Sequence, residues 1–340
     1  MQIFATMSQA LDVRKIADHA RRVEAIGYDG LLIPEAVHDG LLGSMVALSA
    51  TTRLRVITSV LIAFPRSPMT TAHAAWDLQA ISGGRFELGL GTQVRANIVH
   101  RFSTPWTSPV PRMREYVESL KAIFHSFQTG EELRYEGEHY QFSRLQPFFN
   151  PGPLEGSAPP IHLGAVGPDM TRMAGGTADG LLSHPTSSSA SYLREVTTPL
   201  LIEGATRRNR EATSCPVLAG GFIVTGRDAE AVAGNRDWVK EQFSFLFSTP
   251  TYWLALDRVG FGEVGRELHR LSKEGRWNEM KSLVRDDLID RLVPTGCYAE
   301  IAETLLAEFG PVVERMTFPV PDDPVDDPQV KQVLEELHSR

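Results

Sequence analysis

The sequence predicts an α/β fold, a closed (β/α)8 TIM barrel, and three observations point to it. Short apolar runs that suit strands buried on both faces alternate with amphipathic helical segments along the 340 residues. Such strand candidates number about eight, the count that closes a parallel barrel. The two longest gaps between them, about 102–158 and 228–312, follow the fourth and seventh strands and read as insertions in barrel loops within a single 1–340 domain. A doubly wound open sheet is the alternative arrangement of the same alternation.

The first strand is QIFATM. Val13, Ile16, Ala17, Ala20, Val23 and Ile26 then recur at spacings of three and four, a helix that Gly27 ends. Leu31 to Ile33 form the second strand, and a helix over about 40–50 leads to the third, LRVITSVLIAF. Pro68 opens a helix in which Ala74, Leu78 and Ile81 share a face, and SGG closes it. RFELGLG is the fourth strand. PIHLGAV (160–166), DGLLSH (179–184), PVLAGGFIV (216–224) and RMTFPV (315–320) complete the set. Within the first insertion the spacing predicts a helix over 112–128 and a hairpin around Glu136-Gly137. The second is mostly helical. PDDPVDDP (321–328) reads as a solvated loop whose Asp327 caps the last helix, with Pro328 in its first turn.

Composition narrows the function. Hydrophobic residues make up 42%, enough for a large core, and 34 basic against 42 acidic residues leave a net charge of −8. An acidic chain without a basic block argues against nucleic acid or an anionic membrane as partner. The apolar stretch Val56 to Phe64 is too short to span a bilayer. MQIFATMSQALDVRK does not have the pattern of a signal peptide, so a cytoplasmic location is expected. Cys215 and Cys297 lack metal-like spacing and fit a reducing compartment.

Ligands of such barrels bind at the C-terminal ends of the strands. Those ends are Met7-Ser8, Glu35, Ser59-Val60, Gly91-Thr92-Gln93, Gly164 to Gly167, Ser183-His184, Gly226 and Pro319. The run GLGTQV from Gly89 has Val94 where a dinucleotide fingerprint needs its third glycine, and no helix opens directly from it. Gly164-Ala165-Val166-Gly167-Pro168 is the better phosphate turn, since a strand ends in small residues where a helix begins. Glu35, His38 and Asp39 resemble metal ligands, but no further His or Cys cluster completes a set, so no metal is expected. His184, in the polar run SHPTSSS, is placed near a ligand.

Three stretches together resemble the luciferase-like barrel oxidoreductases, and within them the branch using the deazaflavin coenzyme F-420. They are VEAIGYDGLLIPE, RSPMTTAHAAWDLQAISGGRFELGLGT and AVGPDMTRMAGGTADGLLSHP. The resemblance implies a non-proline cis peptide in the third strand, by position Ser59-Val60, backing the flavin-like ring. It also implies cofactor contacts at Glu35, Ser59, Val60, Thr92, Gln93, Asn97, Ala165, Val166, Gly167 and His184, and at least a homodimer. The Pro-rich Trp106 loop reads either as a lid or as a packed surface loop. Sugar-phosphate dehydrogenases of the branch carry a His directly after the strand-two acid and a Glu two residues after the strand-four Thr. Ala36 and Val94 stand there, which argues against glucose-6-phosphate oxidation. Glu35, His38 and His184 are the candidates for moving a proton.

The reading is a deazaflavin-dependent oxidoreductase that moves a hydride between C5 of coenzyme F-420 and a small organic substrate. The alternatives are an FMN-dependent monooxygenase of the same fold and a non-catalytic flavin-binding barrel.

Overall fold

The computed structural model describes residues 1–339. Eight parallel strands close on themselves: β1 (Gln2–Thr6), β2 (Gly30–Ile33), β3 (Arg55–Thr58, resuming as Leu61–Ile62), β4 (Phe86–Gly91), β5 (Ile161–Ala165), β6 (Gly180–Ser183), β7 (Val217–Ala219) and β8 (Arg315–Thr317). Each strand pairs with its neighbours in sequence and β8 pairs with β1, so the sheet has no free edge. The cis peptide Ser59-Val60 lies where β3 is interrupted.

The helices α1 (Ile16–Ile26), α2 (Gly40–Ala50), α3 (Pro68–Ser82), α4 (Pro109–Thr129), α5 (Pro168–Thr177), α6 (Thr198–Arg207), α7 (Tyr298–Phe309) and α8 (Asp327–His338) follow the strands in turn. Ser67 accepts from the Met69 N–H and caps α3, with Pro68 at its start. The inward face of α3 is Thr71, Ala72, Ala75, Trp76, Leu78 and Gln79, and Trp76 packs against Phe124 and Phe127 of α4. Ile81, expected on that face, is 55% exposed, because the row chosen from sequence runs off the wide buried stripe in the last turn. At the other end of the chain, the residue ahead of α8 is Asp326. Asp327, expected as the cap, is the first helical residue and binds Arg22 through both oxygens.

The spans expected as insertions each also contain a barrel helix, α4 in the first and α7 in the second. After α4 a hairpin pairs Tyr135–Glu136 with Gln141–Phe142. Buried Glu115 fastens it by accepting from the N–H groups of His139 and Tyr140. The stretch 216–224, expected as one strand, divides. Val217–Ala219 stays in the barrel, and Val224–Gly226 pairs outside it with Thr295–Cys297. Between these two partners lies a helical excursion with its own apolar core, including Phe243, Phe247, Leu268 and Ile289. Trp106 packs edge-on against Phe64, with ring centroids 6.0 Å apart.

The barrel interior is layered. Glu87 (1% exposed) lies at the N-terminal end. Arg55 Nε donates to its Oε1 at 2.6 Å, both Arg315 Nη atoms donate at 2.9 Å, and His162 Nε2 is 2.7 Å from Oε2. Burial alone raises the pKa of this carboxyl, but His162 and then Arg315 more than reverse that and hold it well below the usual carboxylate range. Above the ionic floor lies an apolar layer of Phe4, Leu32, Ile57, Leu182 and Leu218, on which Val60 packs. No described helix is long and apolar enough to cross a membrane.

Candidate active site

The layer above the apolar one is the C-terminal mouth, and small residues decide its shape. A Cβ at Gly89 would lie 1.9 Å from the Thr58 carbonyl oxygen, so this glycine lets β3 and β4 approach closely. A Cβ at Gly91 would lie 2.4 Å from Val60 Cγ2, and one at Gly164 would lie 3.0 Å from Val60 Cγ1. Val60 therefore sits in a notch that Gly91 and Gly164 leave open on β4 and β5. The side chain remains partly exposed, as does Ser59.

Five consecutive strands supply the arc β2-β3-β4-β5-β6, and all the expected cofactor contacts follow or end them. After β4, Thr92 and Gln93 are half-buried, and Gln93 has a left-handed backbone with φ 59°. Its Oε1 accepts from the Val94 N–H at 2.9 Å and from Asn97 Nδ2 at 3.2 Å, which ties the β4 tip to the π-helical turn Asn97–Arg101. After β5, Ala165 is buried while Val166 and Gly167 are partly exposed. Gly167 precedes α5, whose first turn has no side-chain cap, and nothing lies within 4 Å of where a Gly167 Cβ would stand. Open space beside uncapped N–H groups suits an anion. Asp169, in the same turn, points its charge at Arg172, 3.0 Å away.

His184 follows β6. Its Nδ1 lies 2.8 Å from Thr186 Oγ1 and accepts from the Thr186 N–H at 3.3 Å. Tyr252, from the excursion after β7, stacks on the imidazole with centroids 4.4 Å apart and planes 7° from parallel. Burial pushes the His184 pKa down to about 4. Beside it, Ser183 hydrogen-bonds Ser188 and accepts from the Gly220 N–H, which fixes the β6 tip.

Glu35 has another set of partners. Arg66 donates to both its oxygens, and the Ile62 N–H donates to Oε2 at 2.6 Å. The carboxylate thus fastens the second half of β3 to the end of β2. Asp39 caps α2 by accepting from the Leu41 and Leu42 N–H groups and also binds Arg66 at 2.8 Å. His38 is half-buried and has no hydrogen-bond partner among the described residues. Glu35 and Asp39 are therefore organised around Arg66, and His38 stands apart from them. Arg66 opens the stretch RSPMTTAHAAWDLQAISGGRFELGLGT that carries the family resemblance, but its pairing with Glu35 is visible only in the fold. Tyr252 lies 68 positions beyond His184 and meets it only through the fold.

Ser59 Oγ, Thr92 Oγ1 and His184 Nε2 have no hydrogen-bond partner among the described residues, and all three residues are partly exposed. A Val60 side chain seated firmly between β4 and β5 as a backing, an uncapped helix start and unspent polar atoms on three strand ends fit a ring-bearing phosphate cofactor.

A model of the luciferase-like monooxygenase family matches residues 1–315. The chain belongs to that family. An uncharacterized protein of Mycobacterium tuberculosis H37Rv is 40% identical to this luciferase-like chain over 302 residues, 89% of this chain and 88% of its own. The 5,10-methylenetetrahydromethanopterin reductase of Archaeoglobus fulgidus is 27% identical over 297 residues, covering 84% and 83%. Among solved structures, the coenzyme F420 dependent tetrahydromethanopterin reductase of Methanopyrus kandleri superposes with a TM-score of 0.80 at 19% identity, covering 99% of this chain and 98% of that one. At that identity the likeness shows the fold.

Proposed function

We propose that this luciferase-like protein is an F-420-dependent oxidoreductase that moves a hydride between the cofactor and a small organic substrate. The observation that carries the reading is the Val60 notch, framed by Gly91 and Gly164 and bordered by unspent polar groups at Ser59, Thr92 and His184. The Archaeoglobus fulgidus reductase, similar to this chain over most of both lengths, supports the same chemistry. When bound, the deazaflavin supplies a two-electron hydride carrier at its C5.

The chain's own residues position that reaction. Ser59 and Val60 would give one face of a bound ring a rigid backing, since Val60 is wedged between β4 and β5. The start of α5 at Gly167 offers backbone N–H groups to the phosphate. Thr92, Gln93 and Asn97 would line the β4 side of a bound ring. Glu35 acts indirectly, by fixing β3 through the Ile62 N–H and Arg66.

Titration of the purified protein with oxidised F-420 and with FMN, followed by fluorescence, tests the proposal. Saturable micromolar binding of F-420 is the expected result. Micromolar binding of FMN without any response to F-420 would contradict it.

A further inference from the structure

One wall of the mouth comes from outside the barrel. Tyr252 belongs to the short helical turn Pro250–Tyr252, far along the excursion, yet its ring lies parallel to the His184 imidazole at 4.4 Å. The same excursion packs its long helix Ala229–Phe247 against the turn Pro185–Ser187. The stack is thus held from both sides, by the β6 turn and by the excursion's own core, against which Tyr252 also packs. The Tyr252 hydroxyl has no partner among the described residues, so its ring and not a hydrogen bond engages His184.

The hydrogen bonds of His184 then determine its proton. A backbone N–H only donates, so Nδ1 must offer its lone pair to the Thr186 N–H. In the uncharged ring the proton is left on Nε2, the nitrogen without a protein partner. The groups facing the imidazole are Thr186 on its own turn and the Tyr252 ring from the excursion. No charged side chain contributes to its proton affinity, and burial alone lowers it. A ring of this kind has no proton to give at neutral pH, but it has a fixed N–H to donate.

We propose that Tyr252 is a positioning residue that, with Thr186, holds His184 as an uncharged Nε2–H donor to an oxygen acceptor, such as a carbonyl, bound in the mouth. The role of the hydride site rests on the function proposed above. The state of the ring does not. A donor aimed at a carbonyl oxygen stabilises the negative charge that grows there as hydride adds to its carbon. The proton that completes the reduction then comes from another group or from water.

Nitrogen-15 NMR of histidine-labelled full-length protein tests this, with His184 assigned by comparison with His184→Asn. The expected spectrum shows a protonated Nε2 and an unprotonated Nδ1 from pH 8 down to pH 5. Tyr252→Phe retains the stack and should leave the spectrum unchanged. Tyr252→Ala should let the ring reorient and move its titration upward, while circular dichroism confirms the fold. A proton on Nδ1, or titration near the ordinary histidine value in the wild-type protein, would overturn the inference. F-420 titration of His184→Asn locates the acceptor. Binding weakened about tenfold places it on the cofactor, and unchanged binding places it on the substrate. Failure of the wild-type protein to bind F-420 would overturn the function proposed above while leaving the assignment of the ring intact.

Discussion

Glu35 and Arg66 meet in a two-pronged ion pair, with Oε1 2.5 Å from Nη2 and Oε2 3.0 Å from Nη1. The carboxylate is 8% exposed and the guanidinium 19%, so neither charge is well hydrated. Removing one partner leaves the other buried and uncompensated. Arg66→Met should therefore destabilise the fold by about 3 kcal/mol in urea unfolding. Glu35→Gln retains the shape and an acceptor for the Ile62 N–H, and should cost about 1–2 kcal/mol. If Glu35 instead served as the proton carrier, Glu35→Gln would leave stability unchanged and abolish turnover.

Gly89 and Gly91 lie two residues apart on β4 and should respond differently to alanine. At Gly89 the added methyl meets backbone, the Thr58 carbonyl, and also Leu182. The strands cannot move apart without breaking the ladder, so Gly89→Ala should lose at least about 3 kcal/mol or fail to fold. At Gly91 the methyl meets the end of the Val60 side chain. Val60 can turn, so Gly91→Ala should fold with a loss of about 1–2 kcal/mol. It should still bind F-420 at least about tenfold more weakly, because the displaced Val60 side chain no longer backs the ring. Circular dichroism and F-420 titration of the pair separate the two effects.

The lowered pKa of His184 has a consequence for stability. The unfolded imidazole takes up its proton near 6.5, and the folded one only near 4. As pH falls through this window the unfolded chain binds the proton first, so stability present above 6.5 is lost progressively down to about 4. The full loss is on the order of 3 kcal/mol. His184→Asn should show a flatter dependence of Tm on pH across the same window.

The ionic floor makes a second acid-sensitive contribution with its own window. The Glu87 carboxyl is held well below its ordinary 4.5, so the stabilisation it supplies is present above that value and is lost as pH falls toward the folded value. Glu87→Gln leaves Arg55 and Arg315 without their shared anion and should cost about 3–5 kcal/mol at neutral pH. The variant should then lose less further stability between pH 5 and 3 than the wild-type protein, measured by urea unfolding.

Much of the architecture was legible because strands buried on both faces write continuous apolar runs, and because caps such as Ser67-Pro68 mark helix starts. The absent third glycine at Val94 argues for a barrel strand, and Phe86 to Gly91 do form β4. Single-strand periodicity was not enough for 216–224, where Gly220 and Gly221 let the chain leave the barrel before pairing resumes at Val224. It also misplaced Ile81, since a helix against a barrel buries a stripe wider than one row of residues. In the site, strand ends were readable from position alone. The pairing of Glu35 with Arg66 and the stack of Tyr252 on His184 were not, because both depend on distances across the fold that no local pattern encodes.

The most direct measurement of the central claim is a crystal structure of the protein with F-420. The account predicts the deazaflavin ring against Ser59-Val60, its phosphate at the Gly167 end of α5 and His184 Nε2 facing the mouth. A ring bound elsewhere, or a mouth that stays filled by side chains at saturating F-420, would contradict it.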